Sequence, residues 1–253
     1  MISTNRLTKL SNIARGLLLP ALLLLAWQWA SSRGAASAYV FVPVSQLWTA
    51  LRDLAASGEL VLHLRASLVR TIAAIVLGGV AGIACGALVT QSRIADRLIS
   101  PLFHAIRQVP LLGLAPLLAL WVGTGDAAKL LVVAIAAFYP TMLNTSEGMR
   151  QVPLRLREVA EVLTMTRAQT FRHLLLPAAL PSIVTGLAHA QAFGWLACIG
   201  AELLFSAGPG MGSLLVHAEE AGRMDIVLVA LLVVALLAQA MHLLFQRFTK
   251  AFS

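Results

Sequence analysis

Groups able to do chemistry are scarce in this sequence, and those present are scattered through apolar surroundings. Glu202 is the acidic residue set deepest in an apolar stretch. An ionisable side chain so placed faces protein or water, not lipid. It suits a gate or a structural hydrogen bond; a bare carboxylate would repel an anionic ligand, so direct ligation of one is not expected. Asn144 can bond across helices or face a cavity. Trp195 can line a path, although packing is the default for a buried aromatic. His104, Arg107 and Gln108 stand together at the start of an apolar run. A guanidinium suits oxyanion geometry, but the preferred reading is the positive flank of a membrane segment. His189 and Gln191 fit bonds between helices. No His, Cys, Asp or Glu set has metal-ligand spacing, and no nucleophile–base pair can be argued. Cys85 and Cys198 both lie in apolar stretches and read as small core residues.

The elements that must position these groups are membrane helices. Hydrophobic residues make up 59% of the 253 and charged residues 12%, against about 25% charged in a soluble domain. One globular core could not hide so much apolar surface, and no alternating pattern suggests barrel strands. The net charge of +8 is not a nucleic-acid signature, because the positive residues lie between apolar runs and not in one basic patch. Six apolar stretches approach the roughly 20 residues needed to cross hydrocarbon: 13–30, 64–89, 102–122 (broken by Pro110 and Pro116), 130–144, 181–205 and 226–245. Gly78, Gly82 and Gly86 recur at every fourth position, a small-residue stripe for close helix contact. The first stretch, followed by the small residues Ala35, Ala36, Ser37 and Ala38, also resembles a secretory signal; a retained span is preferred given the later ones. With the N-terminus in the cytoplasm, only Arg33, Arg52, Arg65, Arg70, Lys129 and Arg223 of the 19 Lys and Arg residues fall outside cytoplasmic segments. That bias puts both termini inside, and six spans agree with it.

The loops then have sides. Segment 31–63 is external and contains an amphipathic surface helix with Ser45 as N-cap. Segment 208–225 is external and opens with Gly208-Pro209-Gly210-Met211-Gly212. Segment 147–180 is the longest cytoplasmic stretch, polar yet patterned. It reads as two short helices at an angle, over 155–161 and over 167–175 with Thr166 as N-cap, pinned by Pro177 and Pro181. Ala160 at the centre of the first helix, beside Leu156, Val159 and Leu163, suits close contact in a partner's groove. The residues alone leave a simple connecting hairpin equally open.

A resemblance weighs on that choice. The permeases of ABC importers share the motif Glu-Ala-Ala, three residues, Gly, nine residues, Ile, one residue, Leu-Pro. Here those positions are Glu158, Val159, Ala160, Thr164, Leu174, Leu176 and Pro177, with the spacing kept throughout. Phe41 to Trp48, Leu114 to Leu117, Trp121 to Gly125, Lys129, Tyr139 to Thr145, Leu176 to Ile183 and Gly210 to Gly212 resemble the permeases for sulfonate, nitrate and taurine. The likeness runs from about Pro43 to the end of the chain. It implies an all-α, polytopic, MetI-like type I importer fold in one transmembrane domain, residues 1–253, with the 147–180 coupling loop inside it. It also implies a bacterial inner-membrane location, a second permease copy, two ATP-binding subunits and a soluble substrate-binding protein. No catalysis and no cofactor are expected of this chain: it lacks a phosphate-binding loop, and ATP would be hydrolysed on the partner. Thr164 departs from the motif, since Gly at that corner permits positive φ and a β-branched residue resists it; a modified or strained corner is expected. The rival classes are a secondary transporter or channel, which would show related halves with paired broken helices, and a membrane enzyme, which would need clustered catalytic groups.

Overall fold

The computed structural model describes residues 18–19, 21–34 and 39–250, and the described elements are all helical. Arg6, Lys9, Arg15 and the 35–38 small-residue run fall outside the described residues. In chain order the helices are α1 (Ala21–Ser31), α2 (Val44–Ala56), α3 (Glu59–Gln91), α4 (Arg93–Ile106) and α5 (Leu111–Val122). There follow α6 (Asp126–Arg150), α7 (Leu154–Val162), α8 (Arg167–Leu204), α9 (Met211–Glu220) and α10 (Met224–Lys250). By length and apolarity α3, α6, α8 and α10 can each cross a bilayer, while α4 and α5 form one pair bent by 89°.

The core is α6 held between α3 and α8, with backbones in contact. A Cβ at Gly78 would enter the Ala134 carbonyl; one at Gly82 would lie 2.9 Å from the Phe138 oxygen, and one at Gly86 2.8 Å from that of Met142. The predicted stripe therefore forms a seam along which α3 and α6 run parallel. On the other side Gly186 meets Asn144 (2.8 Å) and Gly148 meets Ser182 (2.5 Å), so α8 runs antiparallel to α6. Lipid gives no hydrophobic drive between helices, and such close approach supplies the van der Waals contact that replaces it.

Two parallel helices cannot be joined without recrossing, which settles what the bent pair does. Asp96, in the first turn of α4, accepts from Arg150 in the last turn of α6 at 2.6 Å. The pair then ends at the Gly123–Gly125 turn, beside Asp126 at the other end of α6. It thus travels the length of a 25-residue helix, about 37 Å, and is a fifth crossing. A straight third span over 102–122 does not form. The helix starts earlier, at Arg93, capped by Ser92, and the chain turns at residues 107–110, where Pro110 has no N–H for a continuing helix. Pro116 breaks nothing, because it lies in the first turn after the 3₁₀ start of α5. Three other spans also start sooner than the apolar runs suggest, at Glu59, Asp126 and Arg167. Ser45 is not a cap; α2 begins at Val44 behind Pro43.

Trp195 belongs to the packing and not to a path. It is 4% exposed in a cluster with Ala50 and Leu54 of α2, Met211 and Leu214 of α9, and Val229 of α10. That cluster fastens the amphipathic α2 and the last span to α8. Because the α3–α6 seam has no room for a side chain, Gly82→Val should destabilise the solubilised protein by about 1–3 kcal/mol, read as a lower thermal midpoint. Gly113→Ala, whose Cβ would sit 3.6 Å from Pro110, should leave the midpoint unchanged.

Candidate functional site

Segment 147–180 is shorter as a loop than its polarity suggests. α6 runs to Arg150, and Pro153 starts α7 after three residues. The second helix is not separate: it continues into α8 through a π turn over Phe171–Leu175. Pro177 has no N–H for the usual bond to residue 173, and the wide turn before it lets the helix pass through. The capping box is present, with Thr166 accepting from the Gln169 N–H at 3.3 Å and Gln169 accepting from the Thr166 N–H at 2.8 Å.

The corner between α7 and α8 closes in a Schellman arrangement. The Met165 N–H donates to Ala160 O (3.0 Å) and the Thr164 N–H to Glu161 O (2.9 Å), which places Thr164 at the left-handed position usual for Gly. Thr164 has φ +51°, the one positive φ at a non-glycine among the described residues. The threonine thus keeps the conformation of the glycine, at a strain of about 1–2 kcal/mol. Ala160 is buried, 4% exposed, and its small side chain lets α7 pack closely on its own chain. Arg157 ties α7 to α6 by donating to Met149 O at 2.8 Å. Leu156, Val159, Val162 and Leu163 stand exposed, Val159 at 53%, with Glu158 exposed beside them. Leu174 and Leu176 are half-buried and Pro177 exposed along the start of α8.

Glu202 is at the other end of the bundle, fully buried and far from alone. Its carboxylate pairs with Arg70 Nη1 and accepts from Ser67 Oγ (2.8 Å) and the Gly212 N–H (2.9 Å). Arg70 Nη2 reaches Asp126 at 2.6 Å and Pro209 O at 3.2 Å. Lys129, with no exposure, donates to Ala207 O at 2.5 Å, and the Met211 N–H donates to Ser67 Oγ at 2.8 Å. His63 Nδ1 lies 3.0 Å from Gly210 N and 2.7 Å from Gly210 O, and satisfies one of them in each tautomer. The 207–212 segment is therefore clasped at nearly every residue, and the Glu202 charge sits at the N-terminus of α9, where backbone N–H groups favour an anion. This is the structural reading of Glu202: it lines no cleft. Sequence reasoning missed its partners, although Arg70 and Lys129 were both exceptions to the positive bias.

A cleft of about 770 Å³ opens between the α4–α5 break, the lower half of α6 and the middle of α8. Asn144 lines it, with Nδ2 donating to Pro140 O at 2.8 Å. So do Tyr139, Glu147 and His189, and so do Arg107 and Gln108, which lie at the break of a crossing and not on a flank outside it. Of the three residues proposed for a path or gate, only Asn144 faces this space. Since the Arg70–Glu202 pair is buried, Glu202→Gln should destabilise by about 3–5 kcal/mol and speed hydrogen exchange at the amides of Gly210, Met211 and Gly212; unchanged exchange would refute the clasp.

Residues 74–253 match the family described as binding-protein-dependent transport system inner membrane component. SsuC of Bacillus subtilis, named for aliphatic sulfonates transport, is 34% identical over 226 residues, 89% of this chain and 81% of that protein. SsuC of Escherichia coli is 36% identical over 221 residues, 87% and 84% of the two chains. A chain of the MetNI methionine ABC transporter, solved in inward-facing conformations, superposes with a TM-score of 0.63 at 21% identity, covering 77% of this chain and 97% of its own; it shares the fold. Together with the crossings described above, these matches make the chain a member of the binding-protein-dependent transport inner-membrane family, a multi-pass permease subunit of an ABC importer.

Proposed function

We propose that this permease imports a small oxyanion, an organic sulfonate first among them, as one of two copies driven by two ATP-hydrolysing subunits and supplied by a soluble binding protein. The α7 ridge is the observation that carries the coupling part. Leu156, Val159, Val162 and Leu163 are apolar and exposed, next to Glu158, on a helix fixed by Arg157 and by the Schellman corner. An amphipathic helix with such anchors fits a groove on a partner, and Glu158 can pair with a basic group there. Leu174, Leu176 and Pro177 carry the movement of α7 directly into α8, since no flexible joint separates them. Arg93, Arg97, Arg150, Arg155, Arg157, Arg167 and Arg172 cluster at this end of the bundle, which supports a cytoplasmic side here and both termini inside. The chain itself makes and breaks no bond; ATP binds the partner. Its sulfonate preference rests on the SsuC relatives and on a cleft that holds a guanidinium.

In proteoliposomes holding the full complex, Val159→Asp should cut ATP-driven ethanesulfonate uptake at least tenfold while the thermal midpoint of the permease stays put. Uptake that needs no ATPase subunit would mark a secondary transporter or channel instead. Thr164→Gly removes the left-handed strain, about 1–2 kcal/mol, and should keep or raise coupling; a clear loss of transport would count against the corner as described.

A further inference from the structure

The geometry points to an oxyanion-holding subsite midway along the path, at the break of the bent crossing, with Arg107 as its charged member. The inference rests on the permease reading and adds which residues meet the substrate and in what chemistry. The break is placed by its neighbours. Before it, Phe103 packs on Val89 and Met142, in the half of the bundle nearer Arg150; after it, Leu112 packs on Gly200, two residues from Glu202. Residues 107–110, all exposed, therefore lie between the two ends. Irregular backbone at such depth is tolerated only inside protein or along a water-filled cavity, and here it borders the 770 Å³ cleft.

The side chains at that place are idle donors. Arg107, Gln108, Tyr139 and His189 line the cleft, and none of these side chains makes a hydrogen bond or an ion pair with another described residue. The buried Arg70 and Lys129 are by contrast engaged: Arg70 with Glu202 and Asp126, Lys129 with Ala207 O. A guanidinium in a cleft at membrane depth, with no ion-pair partner among the described residues, invites a transient anion. Its planar fork matches two oxygens of a sulfonate or nitrate, and the phenol and imidazole can add donors. Glu147 is the one carboxylate of the lining. It is in the last turn before Arg150, at the mouth, and forms no ion pair with Arg107.

A thiol reporter tests this without requiring transport. Val109, 43% exposed and in the cleft lining, is replaced by Cys in a Cys85→Ala background, in membranes holding the whole complex. The reagents are the anionic 2-sulfonatoethyl and the cationic trimethylammonioethyl methanethiosulfonates. The thiolate attacks the sulfenyl sulfur, a disulfide forms and methanesulfinate leaves. The anionic-to-cationic rate ratio, normalised to a free thiol, should exceed one and fall about tenfold with Arg107→Gln. Arg107→Lys should keep most of it, and Glu147→Gln should raise it. A ratio that neither Arg107→Gln nor Glu147→Gln changes overturns the subsite. In proteoliposomes, Arg107→Gln should lower ethanesulfonate uptake at least tenfold with binding-protein-stimulated ATP hydrolysis kept within twofold; unaltered uptake also overturns it. A wild-type complex that takes up no ethanesulfonate would sink the transport reading, and the thiol ratio would still decide the anion site.

Discussion

The buried pair between Arg70 and Glu202 is the contact on which the arrangement of the bundle depends. An ion in hydrocarbon without a partner is expensive, so the pair compels α3 and α8 to lie side by side at one depth, and Asp126 brings the start of α6 to the same level. The register that follows runs on down the seam. Arg70 and Asp126 are 56 positions apart, and the same separation recurs for Gly78 with Ala134, Gly82 with Phe138 and Gly86 with Met142. Slipping α3 by one turn would part the charges and also drive side chains into the α6 backbone. Electrostatics at one end and sterics along the seam thus select one alignment, and neither alone would be as discriminating.

That alignment gives the two ends of the bundle different characters. At the Glu202 end, charges and clasped loop carbonyls leave little freedom. At the Arg150 end, the chain leaves α6 for three residues, forms α7, turns through one strained corner and re-enters α8 as continuous helix. An exposed apolar ridge carried on such a short, hydrogen-bonded element is a stiff handle. Force on α7 reaches α8 by way of the corner and α6 by way of the Arg157 bond to Met149, with few soft torsions to absorb it. The strain at Thr164 is consistent with this, since a left-handed β-branched residue persists only where neighbouring bonds over-determine it.

Much of this was legible from residue types. The glycine stripe and the Thr166 cap each carry a local physical rule, and each appears where the rule puts it. What was not legible depended on tertiary partners. Pro177 looks like a stop, yet a π turn five residues long absorbs it; proline's effect on a helix depends on the turn before it. Pro110 and Pro116 look alike in sequence, but one follows the break and the other lies in the first turn of a helix, a difference that residue type alone does not carry. Glu202 read as solitary because its partners lie 132 and 135 positions away. A faint signal existed: Arg70 and Lys129, like Glu202, interrupt apolar segments at similar distances from what would be the same membrane face.

The charges within the bundle sort by whether the fold completes them. Arg70, Lys129, Glu202 and Asp126 are joined to one another or to loop carbonyls, so their free energy is settled inside one chain. Such groups position elements and resist substitution, and they are poor candidates for meeting a substrate, because any ligand must first displace a better-placed partner. Arg107 is the converse. It stands where the backbone has already given up helix, in a cleft with room for a small molecule, and no described residue neutralises it. A permeating anion needs a contact strong enough to enter and weak enough to leave. A single hydrated guanidinium at an open break meets that requirement better than the saturated cluster around Glu202, where an anion would find every donor taken and a carboxylate in its way.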